Sequence, residues 1–304
     1  PYTTKYETEI LAEEQREGYR AKKLCFNLTG YSRVNAYVLI PDGEGPFPAV
    51  VLLHDHGGHY TIGKEKMIRP FGVDKAVLDD ADAWAANCYG GQYAGDYLAA
   101  HGYVVISVDA LYWGERGRKE GADGSKYADN AGNFMMLGRS LSAFMNYEDM
   151  YTTDYLATLP EVDPKRIACM GFSMGGYRAW MLSALSDKIQ VGAAICWMTT
   201  TDCQFSWEYG RERGGFANML PGIRRYLDYP HIASIACPKP MLFLNGEHDK
   251  LFPPIGVRAA FAEMHEVWES RSAGDKLVTE LWDMPHDCGK KVQAKILDFL
   301  NKWL

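Results

Sequence analysis

The chain has 304 residues, of which 47% are hydrophobic and 23% charged, and its formal net charge is −7. That length suits one large α/β domain, able to bury a full core without disulfides or metals as staples. An acidic balance argues against a binder of nucleic-acid backbones, and no run reaches the roughly eighteen apolar residues of a membrane span.

The seven cysteines are scattered, with no CxxC pair to suggest a zinc knuckle or a redox motif. Cys169 and Cys196 lie inside apolar runs and read as free core thiols, so a reducing, cytoplasmic setting is expected. The chain begins at Pro1 rather than Met, and a removed leader would make the setting periplasmic or secreted instead.

In chain order, residues 1–19 are polar and read as a short helix or a surface arm. Residues 20–30 and 32–41 then form two β-runs around a Gly-Tyr-Ser turn, the pattern of a hairpin. The apolar runs 46–54, 102–110, 165–173, 190–198, 239–249 and 276–284 read as six further strands, most of them buried on both faces. Helical patterns fall between them at 92–101, 137–159, 174–187, 255–270 and 289–304. Eight strands alternating with helices predict one doubly wound α/β domain with a mostly parallel sheet and helices on both faces. Two long segments, 57–91 and 199–236, follow strand C-termini and read as insertions over the ligand crevice of such a sheet.

GFSMGG, residues 171–176, fits G-x-S-x-G between a strand and a helix rich in small residues. The glycines allow a sharp strand-to-helix turn that pushes Ser173 Oγ to the tip, a nucleophile elbow. The helix start also offers the Met174 backbone N–H to an oxyanion formed beside Ser173. A serine hydroxyl needs a base, and the base needs an orienting acid, which on this scaffold follow in the order acid, then histidine. Asp249 follows the run MLFLN, and His286 follows the final strand, both where the geometry asks. Glu247 and Asp283 are rival orienting acids near strand ends, and His248 is a rival base that precedes Asp249 in chain order.

VLLHDHGGHY, residues 51–60, gathers His54, His56 and His59 and raises a metal site as a second reading. No second patch of Asp, Glu or Cys with ligand spacing completes the shell, so no metal and no cofactor are expected. Trp113, Trp197 and Tyr60 fall near the predicted cleft as candidate pocket residues, with core packing the competing role. Glu115 and Arg116 are expected to brace their loop rather than meet substrate.

These residues resemble the α/β-hydrolase superfamily, in its dienelactone hydrolase and acetyl xylan esterase-like branch. The matching pieces are HDHGG, VDALYWGERG (108–117), LPEVDPKRIACMGFSMGG (159–176), NGEHDKLFPP (245–254) and PHDCG (285–289), spanning nearly the whole chain. The resemblance implies that the loop after the 46–54 strand gives a second oxyanion donor, the His56 N–H, with Gly57 and Gly58 letting it approach. It also gives Asp163 and Arg166 a packing and turn role. Dienelactone hydrolases proper use a cysteine nucleophile, and Ser173 in its place implies ordinary carboxylic esters. The expected activity is therefore a serine hydrolase of a short-acyl ester, with acetylated carbohydrate as the favoured substrate class. A peptidase or thioesterase with the same triad, a metallohydrolase and a non-catalytic binding protein are the alternatives. No nucleic-acid or membrane partner is expected, and the sequence leaves the oligomeric state open.

Overall fold

The computed structural model describes residues 5–117, 123–206 and 215–304. Nine strands form one sheet: β1 (Glu9–Arg16), β2 (Tyr19–Thr29), β3 (Ser32–Pro41), β4 (Phe47–Leu53), β5 (Val104–Val108), β6 (Val162–Phe172), β7 (Ile189–Ile195), β8 (Met241–Gly246) and β9 (Leu277–Trp282). The spatial order is β1-β2-β3-β5-β4-β6-β7-β8-β9. Strands β1, β2, β3 and β5 pair antiparallel, and every pair from β5 to β9 is parallel.

Eight of these strands lie where the apolar runs put them. The ninth, β1, corrects the expected helix or arm at the N-terminus. Its sequence EILAEEQR favours helix by composition and is largely exposed. The ladder to β2, with Glu13 opposite Lys22 and Gln15 opposite Arg20, makes it an edge strand.

The helices are α1 (Lys75–Cys88), α2 (Ala94–Ala99), α3 (Gly124–Met136), α4 (Leu141–Leu156), α5 (Met174–Leu185), α6 (Thr201–Gln204), α7 (Tyr229–Ala233), α8 (Pro254–Ser270) and α9 (Lys290–Trp303). Alternation along the central strands assigns them to two faces. Val50 and Leu52 of β4 join a core with Leu98 of α2 and Val292 and Ile296 of α9. Ala49, Val51 and Leu53 face the other way, against Tyr151 and Tyr155 of α4. A third cluster packs Trp180 of α5 and Ile232 of α7 against Val257 and Met264 of α8. The insertion at 57–91 holds α1 and a buried one-turn helix, Lys64–Lys66. That at 199–236 holds α6 and α7, and its residues 207–214 lie outside the described residues. No helix among the described residues is long and apolar enough to cross a membrane.

Candidate active site

The turn from β6 into α5 depends on missing side chains. A Cβ at Gly171 would lie 2.2 Å from the Gly175 carbonyl oxygen, and one at Gly175 would lie 1.8 Å from that of Leu53. A Cβ at Gly176 would meet the Ile195 oxygen at 2.6 Å, so all three glycines are fixed by backbone against backbone. Ser173 sits at the apex with φ 56° and ψ −122°, a conformation an L-residue holds only under constraint. Part of that constraint is the bond from Ser173 N–H to the Ile195 carbonyl, 2.8 Å.

Asp249 and His286 come from the ends of the last two strands. Gly246 permits their loops to touch, since a Cβ there would lie 2.4 Å from the Met284 oxygen. His286 Nδ1 donates to Asp249 Oδ2 at 2.6 Å, and Asp249 Oδ1 accepts the Leu251 N–H at 2.8 Å. The Asp249 side chain is fully buried, while that of His286 keeps 23% exposure. The imidazole ring is held by Phe172 and Phe252, with ring centroids at 4.7 and 6.2 Å. With Nδ1 engaged by the carboxylate, Nε2 is left as the basic nitrogen.

The rival residues are occupied elsewhere. Glu247 binds Arg258 at 2.6 Å, and His248 binds Asp283 at 2.6 Å on the surface. Asp163 bonds Arg166 and the Lys165 amide within its own turn. Glu115 accepts from Lys23, Lys64 and Asn35, while Arg116 makes a bidentate pair with Glu148, so both brace their loop.

A cavity of about 460 Å³ brings Ser173, His286, Met174, His56 and Trp197 together. Trp113 and Tyr60 do not line it. They are buried in an aromatic cluster whose rings pack against His56, with centroids 4.9 and 5.5 Å from its imidazole. Tyr127 of α3 and Phe252 do line it; Tyr127 lies in no motif, and Phe252 lies in NGEHDKLFPP, where Asp249 is the residue that stands out.

The three histidines of HDHGGHY diverge. His54 is fully buried; its Nδ1 donates to the Asp55 carbonyl at 2.8 Å and its Nε2 accepts the Ala110 N–H at 2.9 Å. His56 Nδ1 accepts the Gly58 N–H at 3.0 Å, while His59 pairs with Asp80 at 2.7 Å and stacks on Trp84. Burial, then the charge of Lys66, lowers His56 to about 4, and burial lowers His54 well below its ordinary value. Both rings are therefore neutral at neutral pH. Among the described residues, the groups close enough to share an ion are Cys196–Asp249–His286 and Glu65–Asp109–Glu115, and neither contains these histidines.

Beneath this loop lies a set of ions of which the sequence singles out only Glu115. Lys64 pairs with Asp109 at 2.9 Å and with Glu65 and Glu115 at 2.7 Å each. Lys66 pairs with Asp55 at 3.3 Å, and both lysine side chains are fully buried. Glu115, held by Lys64 and Lys23 despite partial burial, is lowered to about 2.

The chain is 29% identical to "Putative hydrolase YtaP" of Bacillus subtilis (strain 168) over 297 residues, 97% of this chain and 92% of that one. A structure described as a "putative acetyl xylan esterase" from Bacteroides fragilis superposes with a TM-score of 0.73 at 19% identity, covering 93% of this chain and 70% of that one. The glucuronoyl esterase from Solibacter usitatus gives 0.70 at 15% identity, covering 99% and 87%. The model of the Abhydrolase family matches residues 1–272. By that match and by its sheet, the chain belongs to the Abhydrolase family of α/β-hydrolases.

Proposed function

We propose that this protein is a carboxylic ester hydrolase working through an acyl-serine, with Ser173, His286 and Asp249 as its triad. The observation that carries the reading is the 2.6 Å bond from His286 Nδ1 to the buried Asp249 carboxylate, beside a cavity that Ser173 also lines. Ser173 Oγ attacks the ester carbonyl as His286 Nε2 takes its proton. Asp249 fixes the imidazole tautomer and supports the imidazolium, whose proton then goes to the leaving alcohol. Water, activated by His286 in turn, releases the acid. The amides of Met174 and His56 carry the tetrahedral oxyanion, and losing one such donor costs about 3 kcal/mol of transition-state stabilisation. No step calls for a cofactor.

A short acyl group on a carbohydrate or another small neutral alcohol suits the cavity best. Its wall includes the aromatic rings of Tyr127, Trp197 and Phe252, surfaces on which sugar faces pack. Two of the structures with similar backbones are named for esters that contain a sugar, a "putative acetyl xylan esterase" with the acyl group on the sugar and a glucuronoyl esterase with the sugar in the acyl group. The direct test is Ser173→Ala with p-nitrophenyl acetate: turnover is expected to vanish with circular dichroism unchanged. Turnover retained by that variant removes the serine mechanism. A series of acyl lengths and acetylated sugars then ranks the substrates.

A further inference from the structure

The amide expected to meet the oxyanion, His56 N–H, belongs to the same rigid plane as the Asp55 carbonyl. In a trans peptide those two groups point in opposite directions, so whatever grips the carbonyl aims the N–H. Two donors grip it: His54 Nδ1–H at 2.8 Å and the Lys66 ammonium at 3.1 Å. The next plane joins the His56 carbonyl to the Gly57 N–H. Its carbonyl accepts from the same Lys66 nitrogen at 3.1 Å and from Trp113 Nε1 at 3.2 Å. The third partner of Lys66 Nζ is Asp55 Oδ1 at 3.3 Å, so its three acceptors take up all three protons of an ammonium. The other carboxylate oxygen of Asp55 is tied to Tyr89 Oη at 2.7 Å and Trp84 Nε1 at 3.2 Å, and Lys66 Nζ lies 4.9 Å from the Trp84 ring centre.

We infer that Lys66 is a positioning residue for the oxyanion site: its buried ammonium locks the two peptide planes that flank His56 and so aims the His56 N–H. The inference rests on the serine-esterase reading above. A cation on the carbonyl side of a peptide also polarises its N–H, making it the stronger donor to a developing negative charge. Lys66 touches neither substrate nor the reacting atoms. Its effect passes through the backbone, and it should appear in the transition state far more than in substrate binding.

Three variants test this. Lys66→Met removes the ammonium and keeps most of the side-chain volume. Asp55→Asn with Lys66→Met removes both charges, so no uncompensated carboxylate is left buried should the single variant fail to fold. Lys64→Met removes an equally buried ammonium that grips neither carbonyl. The readouts are kcat and KM on p-nitrophenyl acetate, normalised to folded protein by near-ultraviolet circular dichroism, and the affinity for an aryl trifluoromethyl ketone, which forms a hemiketal oxyanion on a serine. Both Lys66 variants should lose about 10²-fold in kcat with KM within about threefold, and ketone affinity should fall in step. Lys64→Met should keep kcat within about threefold while its melting temperature drops. A Lys66 variant with kcat within about threefold of the parent overturns the inference, as does an equal loss of kcat in Lys64→Met. Fluorophosphonate labelling of the parent separates the two readings. Labelling at Ser173 leaves the Lys66 outcome decisive on its own, and absence of labelling overturns both.

Discussion

The two loops that meet at Ser173 are built on opposite physical principles. The elbow is made by subtraction: Gly171, Gly175 and Gly176 let backbone touch backbone, and GFSMGG holds no titratable side chain. The loop from His54 to Lys66 is made by addition, with two buried lysines, two neutral histidines and several carboxylates filling the space beneath it. A steric joint tolerates any pH and no added atom. An ionic joint accommodates side chains but holds only while its charges stay complete. The two loops should therefore fail in different ways.

The largest effect belongs to the steric joint. In Gly175→Ala the new Cβ would sit 1.8 Å from the Leu53 oxygen and 3.0 Å from that of His54, both backbone atoms at the end of β4. Neither the central strand nor the helix start can yield, so more than about 4 kcal/mol of stability should be lost in urea unfolding. A loss below about 1 kcal/mol would show that the elbow gives way and would dissolve the contrast.

Next comes Lys64→Met, which strands Asp109 and Glu65 around a neutral side chain and leaves Glu115 with Lys23 as its one remaining cation. Breaking a buried pair from one side costs about 3–5 kcal/mol. The partial exposure of Glu115, 39% of its side chain, lets water screen part of that, so the lower end of the range is expected. Co-substitution of Asp109 by Asn should recover a measurable part of the loss. If the double variant is no more stable than the single, the cluster is not held by charge. Smaller still is Trp113→Phe, which deletes one donor to the His56 carbonyl and leaves two others, Lys66 Nζ and the His59 N–H, in place. About 1 kcal/mol in thermal unfolding is expected, with most of the ring packing kept.

The same contrast explains what could be read from the residues alone. Steric joints leave local signatures, because glycines must sit at fixed spacings next to the strand they serve. GFSMGG therefore marks Ser173, and the runs MLFLN and 276–284 put Asp249 and His286 just past the ends of β8 and β9. Ionic joints leave none. Lys64 and Lys66 look like any surface charges in a polar insertion, and their partners Asp55, Asp109 and Glu115 are scattered over 61 positions of the chain. Only the adjacency of β4 and β5 brings them together. Strand β1 was hidden for a related reason: its helix-forming residues are overruled by a ladder to β2 that no periodicity announces. Trp113 and Tyr60 follow strand ends in the sequence, but the aromatic cluster draws them behind His56 instead of into the cavity.

The pH-dependent effect is the smallest at neutral pH, where it vanishes, and it grows to about 3 kcal/mol only near pH 4; of the two loops, only the ionic one should supply it. Burial and the nearby Lys66 charge hold His56 at about 4 in the folded chain, against about 6.5 when unfolded. Between those values the unfolded chain binds a proton that the folded chain refuses, so stability is lost as pH falls through that window and is flat above it. His54 acts with the same sign, since a proton on Nε2 would face the Ala110 N–H that it now accepts. His56→Asn can preserve an acceptor for the Gly58 N–H while removing the titrating ring. The difference in melting temperature between the parent and this variant should be constant above about pH 7. As pH falls toward 4 it should shift steadily in the variant's favour. Asn cannot be protonated in this range, so any fixed packing cost of the substitution moves the whole curve without bending it. A difference that stays level from pH 7 to pH 4 would mean that the ring beside the cavity takes up its proton freely, and that the loop is less tightly sealed around its ions than the elbow is around its glycines.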